Sequence, residues 1–154
     1  MNKLLLILLV GCAGIPKEYQ SDETNQNHVG WGSVSFVDSH GIMVVAGNLA
    51  VDAAQFDEIV SDTQKRWNCV APLNGTVVLF RKLPVVSPFD GETLAEAMSW
   101  QQIAKPFKWN AIVGWHERLC ESGLSHEIGH MLNVECRQGK LNETEVESLT
   151  LNCD

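Results

Sequence analysis

The chain has 154 residues, 45% of them hydrophobic and 19% charged, with 19 acidic side chains against 11 basic ones and a formal net charge of −8. That length holds one packed domain rather than two, and the apolar fraction excludes a chain disordered throughout. The acidic balance excludes a nucleic-acid-binding surface, which needs a basic face.

Met1 to Lys3 is a short basic start, and Leu4 to Val10 is an unbroken apolar run. Crossing a membrane takes about 20 apolar residues, so this run is too short and predicts a secretory signal over residues 1–11. Leu9-Val10-Gly11-Cys12 resembles a bacterial lipobox. The resemblance implies cleavage before Cys12, lipidation of its thiol, and a membrane contact through that lipid anchor in the cell envelope. Ala13, and not an acidic residue, stands directly after Cys12, which favours the outer membrane. Residues 12–30 are polar, with a Pro and several Asn and Gln, and predict a flexible tether. The folded domain then spans residues 31–154. Cys69, Cys120, Cys136 and Cys153 remain, an even number that predicts two disulfides in an oxidising compartment. Three pairings are open to four cysteines. The expected one joins Cys136 to Cys153, which bracket the last helix, and Cys69 to Cys120.

The elements follow in chain order. Val34, Phe36 and then Ile42 to Ala46 predict two short strands around the turn Asp38-Ser39-His40-Gly41. Leu49, Ala53, Phe56, Val60, Thr63 and Trp67 step by four and three, the spacing of one helical face, with Asn48 as N-cap and Gln64 among the outward residues. Gly75 to Leu83 is β-rich and closed by Pro84; residues 84–92 form a loop. Leu94, Ala97 and Met98 predict a helix over Thr93 to Ala104. Asn110 to Trp115 is a short apolar strand, and residues 121–134 and 142–151 predict two final helices. Strands and helices intermixed around one sheet give an α+β domain.

His126-Glu127-Ile128-Gly129-His130 is a complete H-E-x-x-H. On a helix, positions i and i+4 lie on one face, so two imidazoles can hold one metal ion while the glutamate one step round reaches a water on it. Zinc acidifies such a water and a carboxylate can take its proton, so the spacing is a mechanical requirement of hydrolysis. Leu124, Ile128 and Leu132 form an apolar stripe behind the motif, and Ser122 and Ser125 stand near the helix start.

The stretch Ser125 to Asn133 resembles the active-site helix of the zincin metallopeptidases. The resemblance implies a zinc-dependent peptidase acting on peptide or protein substrates. It also implies a small domain: a mixed sheet, a long backing helix, the active-site helix, and a C-terminal helix carrying a glutamate. His126 and His130 are then zinc ligands and Glu127 the general base. Three residues are candidates for the third ligand that catalytic zinc needs. Asn142-Glu143-Thr-Glu-Val-Glu147 is similar to the glutamate helix of the thermolysin-like gluzincins, which makes Glu143 the ligand and Glu147 the partner of a ligating histidine. Glu147 itself is the second candidate. Cys136, at the last ligand place of the metzincin pattern, is the third. Asn142 with Glu145 also reads as a capping box, with Leu141 and Val146 as its hydrophobic staple.

Zincins bind extended peptides along an edge strand, and Asn110 to Trp115 is the expected one. The sole tyrosine, Tyr19, lies in the tether, so His116 and Arg118 are the candidate oxyanion donors. A metal-binding or structural envelope lipoprotein without turnover is the alternative function.

Overall fold

The computed structural model describes residues 33–87, 91–94, 96–101 and 109–154; the signal segment, Cys12 and the tether lie outside the described residues. The domain is α+β, as the element pattern predicts. Seven strands are present among the described residues: β1 (Phe36–Val37), β2 (Met43–Val45), β3 (Val77–Arg81), β4 (Val85–Val86), β5 (Thr93–Leu94), β6 (Ala97–Gln101) and β7 (Trp109–Gly114). Helix α1 (Ala53–Trp67) lies between β2 and β3, and α2 (Leu124–Arg137) and α3 (Glu143–Ser148) close the fold.

Five strands form one mixed sheet in the order β1-β2-β3-β7-β6, and β4 pairs with β5 in a separate antiparallel ribbon. β2, β3 and β7 run parallel, while β1 and β6 are antiparallel edges. Period-two side chains on β3 explain the layering. Val78 and Phe80 join the main core with Phe56, Val60, Trp67, Ile128 and Leu132, whereas Val77 and Leu79 face a smaller cluster covered by Val85. All six residues of β7 are buried, which marks a strand enclosed on both faces.

Helix α1 is capped by Asp52, whose Oδ1 accepts from the Gln55 N–H at 2.8 Å, and not by Asn48. An extended backbone at Asp52 stops the helix one turn short of Leu49, and Ala53 is left exposed. Gln64, expected outside, is buried because its Nε2 donates to the Ala71 carbonyl at 3.2 Å.

Thr93–Leu94 and Ala97–Gln101 are strands, not helix; residues 95 and 102–104 lie outside the described residues. Ala97 pairs with Val113 and Met98 with Ile112, and the two side chains pack against opposite faces of the sheet. Without β6, the buried strand β7 would present an unpaired backbone edge. The backbone bonds gained there outweigh the modest helical preference of these residues.

The disulfides join Cys69 to Cys136 and Cys120 to Cys153, with Cα atoms 6.2 and 5.2 Å apart, so the expected pairing is corrected. The reason is helix direction. Thr63 bonds to Ser125 at 3.0 Å, Trp67 packs on Gly129, and Arg137 donates to the Trp67 carbonyl at 3.2 Å. α1 and α2 therefore run the same way, and their C-terminal ends meet. Cys120 sits at the opposite end of α2, where the last residues return: Leu151 N–H donates to Ser125 Oγ at 3.0 Å.

Gly123 brings β6 against the start of α2, since a Cβ there would lie 2.7 Å from the Ala97 Cβ. Gly123→Ala is expected to cost about 1–3 kcal/mol in urea denaturation, the usual penalty for overpacking. Peptide mapping of the unreduced protein is expected to recover Cys69 linked to Cys136 and Cys120 linked to Cys153.

Candidate metal centre

Leu124, Ile128, Met131 and Leu132 are fully buried along one stripe of α2. Their burial, worth roughly 1.5–3 kcal/mol for each side chain, sets the helix's rotation against the sheet and α1. His126 and His130, one turn apart, then share the flank that α3 faces. Glu127 turns inward, 4% exposed, where the Ser99 hydroxyl of β6 hydrogen-bonds its carboxyl.

A tight turn delivers α3. Gln138 and Gly139 take left-handed φ angles of 56° and 69°, which reverse the chain after α2. The Asn133 side chain clamps the turn, donating to the Leu141 carbonyl at 2.9 Å and accepting from its N–H at 3.1 Å. Asn142 and Glu145 then form the reciprocal capping box, with bonds of 3.0 and 2.8 Å, and buried Val146 seats the helix.

This turn places Glu143 over the two imidazoles. Its Oε1 lies 2.8 Å from His126 Nε2 and its Oε2 3.4 Å from His130 Nε2, while the two Nε2 atoms are 2.9 Å apart. The rings meet edge to face, with centroids 4.6 Å apart and planes at 86°. Three donor atoms thus converge on one point. Ligands bound tetrahedrally at ~2.1 Å are about 3.4 Å from one another, so modest expansion of this triangle fits a metal ion. On the far side of His126, Nδ1 lies 2.9 Å from Glu147 Oε2 and 3.3 Å from Thr150 Oγ1.

The structure therefore brings His126, His130 and Glu143 together, with Glu147 against the other ring nitrogen of His126. Cys136 is removed as a candidate ligand, because its sulfur is bonded to Cys69. Asn110 to Trp115 is not an edge: β7 lies between β3 and β6, and the edge strand beside α2 among the described residues is β6. Ser99, Thr150 and the clamp role of Asn133 were missed. Thr150 falls three residues after Glu147, a helical neighbour spacing that could have found it; Ser99 needed the strand pairing.

A cleft of about 600 Å³ opens beside these residues, lined by Glu96, Ala97, Gly123, His126, Glu127 and Glu143 among others. His116 and Arg118 do not line it. His116 Nδ1 lies 4.0 Å from Glu121, and Arg118 is held by Glu121 at 3.3 Å and by the Asp154 carbonyl at 3.1 Å.

Burial, reinforced by neighbouring His126, holds His130 below the ordinary imidazole range, although Glu143 opposes it. The neutral ring is the form that ligates metal. Burial raises the Glu127 carboxyl to about 7; the Ser99 hydrogen bond and His126 oppose this, and Glu143 adds to it.

Comparison with protein-family models, with curated proteins and with solved structures returned no match. No helix among the described residues is long and apolar enough to cross a membrane.

A carboxyl with a folded value of about 7 against an ordinary 4.5 gives stability that is complete below pH 4.5 and lost as pH rises through 7. Metal-stripped Glu127→Gln escapes that loss. Its thermal or urea stability is expected to exceed that of the metal-stripped wild type by ~1–3 kcal/mol at pH 8 and to match it near pH 4.

Proposed function

We propose that the chain is a zinc-dependent peptidase, a small zincin-like enzyme in which His126, His130 and Glu143 hold the ion. The observation that carries this reading is the convergence of those three donors within 4.8 Å of one another, next to the buried carboxyl of Glu127. Two imidazoles and one carboxylate form a donor set that suits zinc. Bound there, the ion supplies a Lewis acid that polarises a carbonyl and acidifies water.

The remaining work falls to the protein. Glu147 accepts a hydrogen bond from His126 Nδ1–H, which leaves the Nε2 lone pair free for ligation and fixes the ring. Glu127 accepts a proton from water entering the cleft and returns it to the departing amine. Ser99 holds that carboxyl in position. The outer edge of β6 offers backbone groups for an extended peptide, the usual way a sheet edge recruits one. Two disulfides support export, and with the Cys12 signal they favour a lipid-anchored protein of the cell envelope.

A second reading, metal binding without turnover, is favoured by one observation: neither His116 nor Arg118 lines the cleft to serve as an oxyanion donor.

Hydrolysis of a quenched-fluorescent peptide library separates the two. Wild type is expected to cleave, to lose activity to a chelator and to regain it with zinc. Glu127→Gln is expected to keep zinc yet lose at least about 100-fold in kcat, the scale of a general base. Equal rates in the two proteins would refute the role of Glu127. Zinc retention by an inactive wild type would establish the second reading.

A further inference from the structure

A second group of donors lies between the β1–β2 turn and helix α1. The Asp38 side chain is fully buried. Its Oδ1 accepts from the backbone N–H groups of His40 and Ile42 at 3.0 and 2.8 Å, so its position is set by the turn itself. Its Oδ2 is thereby aimed at His40 Nδ1, 2.8 Å away. Asp57, from α1, brings its Oδ1 to 3.6 Å from the same nitrogen, and that oxygen also accepts from the Ser39 N–H at 2.8 Å. All three donor atoms lie within 4.8 Å of one another. Across the ring, His40 Nε2 is 3.2 Å from the hydroxyl of Ser61, one turn beyond Asp57 on α1.

Ser61, His40 and Asp38 also have the spacing of a nucleophilic triad. Two observations count against that use. Ser61 sits within α1, where backbone N–H groups are spent on helical bonds and none is available to an oxyanion. A triad also has no need of Asp57, which crowds a second carboxylate against the same imidazole nitrogen. A cation gives both carboxylates and the nitrogen a common partner, and Ser61 then accepts from Nε2–H, the orienting bond that ligating histidines make.

We infer that Asp38, His40 and Asp57 form a second divalent-cation site, which ties the β1–β2 turn to α1. One imidazole and two carboxylates select a first-row transition ion such as Zn²⁺ over the all-oxygen preference of Ca²⁺ or Mg²⁺. The site stands apart from the His126 centre. Ser61 and Thr63 are about 200° apart around α1, and it is Thr63 that faces α2 through Ser125.

The test is zinc chloride titrated into the metal-free full chain by calorimetry, with retained metal counted after desalting. Wild type is expected to hold two equivalents. His126→Ala/His130→Ala is expected to keep one, and Asp57→Asn, whose amide oxygen still accepts from Ser39, to weaken the other at least tenfold. Asp57→Asn with undiminished two-site binding would overturn the inference, and so would a wild type whose only ion is lost in folded His126→Ala/His130→Ala. A single ion lost in Asp57→Asn but kept in His126→Ala/His130→Ala would support this site and sink the first. Should the double histidine variant not fold, the Asp57→Asn comparison with wild type decides alone. Labelling of Ser61 by a fluorophosphonate would restore the triad and refute the metal.

Discussion

The packing of α2 along α1 and under the sheet is the constraint on which the rest depends. Four fully buried side chains on one stripe of α2 leave the helix a single rotational setting. Gly129 allows close approach, since a Cβ there would stand only 3.0 Å from the Trp67 ring. Given that setting, His126 and His130 must lie on the flank and Glu127 must point inward. The site is thus a consequence of core packing: hydrophobic burial is non-directional, but its stripe fixes the direction of every polar residue between.

The third donor depends on a different kind of interaction. α3 is only six residues long, too short to be stable by itself, and it is held by polar contacts at its start and by Val146 beneath it. The Asn133 clamp, the two left-handed residues and the capping box act in series to place Glu143. The disulfides fix the surroundings of the same motif, one at each end of α2. The carboxylates Glu143 and Glu147, one helical turn apart, lie on either side of one imidazole.

The second donor group follows the same economy with other parts. A four-residue turn supplies two donors and α1 the third, and the turn's own backbone N–H groups hold Asp38 in place. Both groups draw on a helix for donors at i and i+4 spacing, His126 with His130 in one, Asp57 with the supporting Ser61 in the other.

The sequence by itself determined the α+β class, the β1–β2 turn, the strand at β3, the two final helices, the H-E-x-x-H face, and the i, i+4 pairing of Glu143 with Glu147 on the last helix. These are local properties: periodicity, capping chemistry and i, i+4 spacing survive in a chain read alone. Tertiary structure decided the rest. Ala97–Gln101 became strand because β7 required a partner, and that made β6, rather than Asn110 to Trp115, the edge strand among the described residues. The disulfide pairing turned on the parallel course of α1 and α2, which joined Cys69 to Cys136 and removed that thiol as a candidate ligand. His116 and Arg118 pair with Glu121 and do not themselves line the cleft. His40 met Asp57 only because the turn docks on α1. Each of these depends on which elements lie side by side and in which direction, and that is set by burial summed over the whole core rather than by any one segment.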